Sequence, residues 1–384
     1  MQPTDVVIIG GGISGVAAAY ELAGAGASVT LVEKGDLASM ASGWTLAGVR
    51  QSGRDAAEMP LAVAAVRRWE RLADELDADI EYRQDGNLRL ARTEDEVAAI
   101  ARVVADGRAA RLPVEYLDGD AARRLAPALA PSILAASYCP TDGHANPLKV
   151  VGAFAAAAAR RGATIMTRTE ALGIEVAGGR VAGVRTPCGL YPADVVVVAA
   201  GVYADRLLAP LGIRLPITVR HVSAIGTTPL PPLLRQVLGV GAGDFAARQQ
   251  VDGRFRMTGS GGDWQWPTSG LTADAVQPPI ADVAAVLGRA TAVLPALADA
   301  RIARVWGGLI DMTPDALPIL ERAPEIDGLV IAAGFSGHGF CLGPITGRII
   351  YELATTGESS LPLAPFRRAR FDDPIGQTPM TLHG

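Results

Sequence analysis

Four kinds of residue in this 384-residue chain could do chemistry: a glycine cluster, an acid, an arginine and a histidine. Gly10, Gly12 and Gly15 carry the spacing G-x-G-x-x-G, with Ile13 and Ser14 between the last two. Glycines so spaced allow a tight turn, close approach of a diphosphate, and close packing of helix on strand. Glu33 lies where a carboxylate can accept hydrogen bonds from an adenosine ribose, and its charge would repel the extra phosphate of NADP. Arg50 ends Gly48-Val-Arg50, and a guanidinium can give a carboxylate two parallel hydrogen bonds. His338 lies in Gly334-Phe-Ser-Gly-His-Gly339, where it could donate to a cofactor or touch a substrate.

These residues need elements to hold them. Asp5 to Ile9 is a short β-branched run suited to a strand buried on both faces. Val16 to Ala25 is made of helix formers, Gly26 ends it, and Ser28 to Val32 reads as a second strand. The glycine cluster therefore opens a helix whose unpaired N–H groups and positive dipole end face an anion. Asp194 to Val198 and Leu329 to Ala333 are further buried strands, and they run into Gly201 and Gly334. Ligands of open α/β sheets bind beyond the carboxyl ends of strands. Three such ends, spread over the chain, imply a ligand that crosses the sheet. The motif alone leaves NAD and FAD open; FAD has the required reach. A late helix, expected from Gly343 to Thr355, would aim its positive end at the flavin and favour the anionic reduced ring.

Between these strands the pattern is mixed. Asp55 to Leu76 and Thr93 to Ala109 read as amphipathic helices, the second opened by a capping box of Thr93 and Glu96. Asp79 to Leu90 reads as two strands about Asp85-Gly86, and Leu148 to Arg161 as a helix. From Pro216 to Arg304 the texture is that of a mostly antiparallel sheet, with a hairpin signal at Asp252-Gly253 and a helix over Ile280 to Val293. Arg248 and Gln249 on that sheet are candidate pocket residues. The residues after Leu361 read as irregular.

The length exceeds what one hydrophobic core fills, so two subdomains are expected. The net charge of −5 argues against a nucleic-acid partner. Three scattered cysteines form no metal spacing or disulfide framework, which fits a reducing compartment. No basic residue precedes Lys34, so the start lacks the charge of a signal peptide, and no apolar run is long enough to span a membrane. A cytoplasmic protein is expected, with peripheral association at the inner face of the membrane left open.

Gly10 to Gly15, Asp194 to Gly201, Trp306-Gly-Gly-Leu-Ile-Asp-Met-Thr-Pro-Asp-Ala-Leu-Pro318 and Ala333-Gly-Phe-Ser-Gly-His-Gly-Phe340 together resemble the D-amino-acid-oxidase-like flavoproteins. The likeness is to the branch holding sarcosine oxidase β chains, glycine oxidase, hydroxyproline dehydrogenase and opine oxidase subunits. It implies an α/β fold: a Rossmann-like FAD-binding domain with an inserted, mostly antiparallel α+β substrate domain. The FAD domain is expected over residues 1–82, 140–215 and 305–384, and the substrate domain over 83–139 and 216–304.

The resemblance implies FAD contacts at Gly10, Gly12, Ile13, Ser14, Gly15, Glu33, Lys34, Ser42, Gly43, Ala171, Ala200, Gly201, Gly308, Gly334, Ser336, Gly337, His338, Gly339 and Phe340. Arg50 and His338 are the implied catalytic residues, and no metal is implied. The implied reaction oxidises the C–N bond of a small amino acid or N-substituted amino acid, with hydride passing to flavin N5 and the imine hydrolysing. Oxidation of a 2-hydroxy acid, or a flavin-carrying relay subunit without its own substrate, are the alternatives. The sequence also departs from the pattern. Ile310 stands where glycine oxidases have a carboxylate-binding Arg. Gly308 stands where monomeric sarcosine oxidases attach FAD through Cys, and Cys341 where they carry a Lys that bears on oxygen reactivity. Non-covalent FAD, no FMN, poor oxidase activity and a role as a subunit of a hetero-oligomer with other redox chains are therefore expected; the electron acceptor is left unknown.

Overall fold

The first strand is apolar throughout because both of its faces are covered. In the computed structural model, which describes residues 4–372, Thr4–Ile9 lies mid-sheet between Gly189–Val198 and Val29–Val32, parallel to both. Val7 and Ile8 are fully buried. Thr164–Met166 extends the sheet on one side and Leu329–Ala333 on the other, both parallel, and Ile319–Arg322 closes that edge antiparallel. The chain leaves the first strand on one side and later returns on the other. That reversal opens a crevice at the carboxyl ends of Thr4–Ile9 and Gly189–Val198.

Helices Ile13–Gly24, Met59–Leu76, Pro147–Arg160 and Gly339–Thr355 cover one face and share one core with it. The other face is covered by Gly173–Ala177 and Arg180–Thr186, which pair onto the first residues of Gly189–Val198, together with helix Ala204–Leu208.

A second sheet stands against the crevice. Its order is Gly262–Asp263, Thr218–Thr227, Phe255–Gly259, Phe245–Gln249, Val237–Val240, Asn87–Ala91, Ala135–Cys139, Glu115–Asp118. Val237–Val240 and Asn87–Ala91 pair in parallel, whereas the other pairings in this sheet are antiparallel. Helix Ile280–Val293 packs on it, as expected from its period. Phe245 and Phe255 are fully buried in its core, each contributing about 2–3 kcal/mol of apolar burial.

Several details differ from the sequence reading. Asp79 to Leu90 holds one strand, Asn87–Ala91, and only the isolated pairing of Arg83 with His144 precedes it. Strands Ala135–Cys139, Val237–Val240 and Ile302–Met312 carry no clear alternation and were not expected. The boundary expected at residue 305 falls inside Ile302–Met312, which pairs along Thr218–Thr227 of the second sheet. Half of the capping box forms: Glu96 N–H donates to Thr93 Oγ1 at 3.3 Å. The Glu96 carboxylate instead accepts from the Arg92 N–H at 2.6 Å, one residue early, because the Arg92 guanidinium also holds it. The late helix begins at Gly339, a turn before Gly343, with Pro344 inside its first turns. Of the tail after Leu361, residues 364–366 and 368–371 form short 3-10 turns, and residues 373–384 lie outside the described residues.

Candidate active site

One long cavity runs along the crevice, from Glu33 and Lys34 at one end to Arg89 and the second sheet at the other. Its first end is built by local sequence. Gly10 leaves the first strand at φ +117°, and a Cβ there would lie 2.3 Å from the Ala199 carbonyl oxygen. A Cβ on Gly15 would lie 1.9 Å from the Gly10 carbonyl oxygen, so the helix can sit this close to the strand only with glycine. Gly12 caps helix Ile13–Gly24 without a side-chain bond. Ser42 Oγ accepts from the Ile13 N–H at 3.0 Å. The following first-turn N–H groups have no intrahelical acceptor. Glu33 accepts from the N–H groups of Gly11 at 2.6 Å and Gly35 at 2.8 Å, which fix its carboxylate at the cavity wall. Lys34 Nζ sits 3.5 Å over the Tyr203 ring and donates to the Leu271 carbonyl at 3.1 Å.

Midway, the late helix presents an uncapped N-terminus: His338 is its N-cap, makes no side-chain cap bond, and no acid lies in the first turn. Gly337, His338, Gly339 and Phe340 all line the cavity there. This is a place for negative charge. Asp311 lines the cavity nearby and accepts from the Gly334 N–H at 2.6 Å. Burial raises its carboxyl to about 6, against the opposing pull of backbone N–H groups.

The far end is a buried charged cluster. Arg50, Arg54 and Arg89 line the cavity. The Arg50 guanidinium donates to the carbonyls of Ser52 and Gly53, at 2.5 and 2.9 Å, and forms no ion pair among the described residues. Burial, then repulsion from Arg54 and Arg89, hold it well below the usual arginine range, while Asp142 and Glu58 act the other way. Arg54 Nη1 donates to Glu58 at 3.2 Å, with side-chain exposures of 3% and 0%. Asp142 accepts from the N–H groups of Gln51 at 2.9 Å and Ser52 at 3.3 Å and from the Ser52 hydroxyl, and burial pushes its carboxyl up. Cys341 Sγ accepts from the Arg50 N–H and donates to its carbonyl, both at 3.3 Å. The thiol thus pins the Arg50 backbone, and burial raises its pKa.

Of the residues singled out from sequence, Arg50, Gly10, Gly12, Ile13, Ser14, Glu33, Lys34, Ser42, Ala171, Ala200, Gly201, Gly308, Gly337, His338, Gly339 and Phe340 line this cavity. Four shape the loops behind it. Gly15 packs on Gly10, and Gly43 on the Ala38 carbonyl. Gly334 donates to Asp311, and Ser336 Oγ bonds Thr313 at 3.2 Å. Arg248 and Gln249 are not at the cavity. Arg248 donates to the Leu46 carbonyl and lies 3.1 Å from His144 Nδ1, and Gln249 holds the main chain of Leu233, Leu234 and Pro231. Ile310 does face the cavity, with an apolar side chain.

Sequence reading missed Arg54, Glu58, Arg89 and Asp142. Arg50, Arg54 and Glu58 are spaced four apart, which was the available signal for the first two. Nothing in the sequence marks Arg89, and Asp142 stands in an Asp-Gly turn signal.

The residues present fit an elongated dinucleotide. One end offers glycine-flanked helix N–H groups and an acid, and the middle offers a second helix N-terminus. A sequence-family profile described as "DAO: FAD dependent oxidoreductase" matches residues 5–353. The chain is 30% identical over 382 residues to glycine oxidase of Geobacillus kaustophilus (strain HTA426), covering 97% of this chain and 98% of that protein. It is 30% identical over 378 residues to sarcosine oxidase subunit beta of Rhizobium meliloti (strain 1021), covering 96% and 88%. Among crystal structures, L-proline dehydrogenase from P. horikoshii superposes with a TM-score of 0.89 at 30% identity, covering 97% of this chain and 98% of that one. Glycine oxidase from G. kaustophilus gives 0.90 at 28%, covering 96% and 99%.

Proposed function

Since the chain belongs to the FAD-dependent oxidoreductase (DAO) family, we propose that it oxidises the C–N bond of a small amino acid or N-substituted amino acid. The observation that carries the substrate class is Arg50. Its guanidinium is buried beside two more arginines and donates only to carbonyl groups. No carboxylate among the described residues contacts it directly, and Asp142 and Glu58 act on it only at longer range, so a substrate carboxylate at this end of the cavity would offset the cost of its burial. Arg54 and Arg89 line the same end and add to the attraction.

In this reading the parallel sheet and its helices carry FAD, and the antiparallel sheet walls the substrate. Gly10, Gly12, Ile13 and Ser14 would hold the diphosphate. Glu33, Lys34, Ala171, Ala200 and Gly201 would hold the adenosine, and Gly308 with Gly337 to Phe340 the flavin. Bound FAD supplies the two-electron acceptor. The chain's own task is to fix the reacting carbon by its carboxylate and to offer the N-terminus of Gly339–Thr355 to negative charge. No thiol stands at Gly308, which supports non-covalent attachment.

Cys341 in place of a lysine supports a dehydrogenase that passes electrons to an acceptor other than oxygen. The likeness to a sarcosine oxidase β subunit supports a place in a larger assembly. The test is an anaerobic panel of proline, hydroxyproline, sarcosine, glycine, opines and 2-hydroxy acids, read by flavin bleaching. An amine should bleach, and Arg50→Ala should raise its KM at least tenfold. Bleaching by hydroxy acids alone, by nothing, or an unchanged KM would each overturn the corresponding part. Dye reduction that far outpaces oxygen uptake would support the dehydrogenase.

A further inference from the structure

The His338 imidazole has one nitrogen committed and one open. Nδ1 lies 3.0 and 3.1 Å from the two carboxylate oxygens of Glu58, and the side chains are 5% and 0% exposed. Nε2 is buried with no hydrogen-bond partner among the described residues, and His338 lines the cavity. Glu58 also accepts from Arg54. Burial pushes the Glu58 carboxyl up, but the interaction with His338, then Arg54, the His338 hydrogen bond and Arg50, together outweigh this and hold it at about 2. An ionised carboxylate facing Nδ1 places the ring proton on Nδ1. In the neutral ring Nε2 then carries a lone pair and no hydrogen. The sequence suggested a donor here; the geometry makes an acceptor.

We propose that Glu58 and His338 form a proton-accepting dyad, in which Glu58 fixes the Nδ1–H tautomer and Nε2 takes a proton from the substrate's ammonium group. This rests on the amine-oxidation reading above. The N–H bond of the ammonium breaks, the proton bonds to Nε2, and the lone pair stays on the amine nitrogen, with no change of oxidation state. The amine then presents its neutral form for oxidation. Arg50 and His338 line the same cavity, and Arg50 is close enough to act on the imidazole's charge; an α-amino acid carries its nitrogen two bonds from its carboxylate carbon. A consequence is that the substrate's ammonium group must carry at least one N–H to give up, which excludes quaternary amines.

The charged groups acting on His338 are Arg54, Glu58 and Arg50. Burial first, then Arg54, hold the imidazole at about 4, while Glu58 acts the other way. A substrate carboxylate beside the arginines cancels part of that repulsion, so the base strengthens when substrate arrives. Glu58 is a positioning residue; His338 is the group that touches substrate.

The experiment has two arms. In the first, 15N NMR of the FAD-loaded enzyme without substrate reads the protonation of His338. Wild type should show Nδ1 protonated and Nε2 bare, and Glu58→Gln, whose amide can donate to Nδ1, should move the proton to Nε2. A wild-type ring protonated at Nε2 overturns the dyad. In the second, anaerobic flavin reduction is followed against pH at saturating substrate. His338→Gln, which leaves the Glu58–Arg54 pair intact, and Glu58→Gln should each slow reduction about 100-fold at neutral pH. Both should recover toward wild type at a pH that deprotonates the free amine. A wild-type rate at neutral pH, or a loss equal at every pH, overturns the proposal. If no amine bleaches wild type at any pH, the functional reading fails, while the NMR arm still decides the tautomer.

Discussion

The two ends of the cavity answer negative charge with different materials. At the Gly10–Ser14 end the donors are main-chain N–H groups, and Glu33 is held by the N–H groups of Gly11 and Gly35. At the Arg50 end the donors are buried guanidinium groups, balanced by Glu58 and Asp142. A backbone-built site has no side chain to lose but no room for a Cβ. A side-chain-built site is the reverse: its backbone tolerates change, and each charge depends on the others. Two histidines sharpen the contrast within the buried charges. His144 lies beside Arg248, away from the cavity, and burial drives it to about 3. His338 has a carboxylate on one nitrogen and the cavity at the other. Burial alone does not mark a reactive imidazole; the carboxylate and the open nitrogen do.

The largest expected effect is at the charged end. Glu58→Ala leaves Arg54 buried without its counter-charge and should cost about 3–5 kcal/mol in denaturant unfolding. A cost under about 1 kcal/mol would mean that the cluster is not interdependent. At the other end, Gly15→Ala drives a Cβ into the Gly10 carbonyl and should cost about 3 kcal/mol with loss of flavin from the purified protein. Retained flavin and an unchanged Tm would break the contrast from that side.

Acid should then separate the two ends. The folded-state pKa of His338 is depressed from 6.5 to about 4. Its contribution is present above the unfolded value and is lost as pH falls below it, because the unfolded chain binds the proton first. Between pH 7 and 5 wild type should lose about 2 kcal/mol more than His338→Gln; parallel stability curves would remove the buried neutral ring. The smallest effect is a control. Gly152, within helix Pro147–Arg160, has nothing within 4 Å of an added Cβ. Gly152→Ala should raise stability by about 0.5–1 kcal/mol, so a loss there would show that glycine replacement is harmful for reasons other than the close contacts.

Legibility followed distance along the chain. The first strand, the glycine turn, the first helix and Glu33 all lie within about thirty residues, and each sign was local: β-branching, glycine spacing, an acid at a strand end. Helix Ile280–Val293 and strand Leu329–Ala333 were read to the residue for the same reason. Strand Ile302–Met312 was not, because its first residues are exposed, its later ones buried, and its pairing with Thr218–Thr227 is long-range. Arg248, a candidate pocket residue from its place on the expected substrate-domain sheet, is 2% exposed and donates to the Leu46 carbonyl.

From the order of residues alone came the nucleotide turn, the helix that follows it, the acid at the second strand's end and the presence of a second, mostly antiparallel sheet. Each depends on neighbours a few bonds or one turn away, and such neighbours are written next to each other. Folding alone decided that Glu58 meets His338, 280 positions apart, that Asp142 lies under Gln51 and Ser52, and that Arg89 turns inward. The worth of a charge depends on its desolvation and on which other charges share its enclosure, and neither is a property of the stretch of chain that carries it.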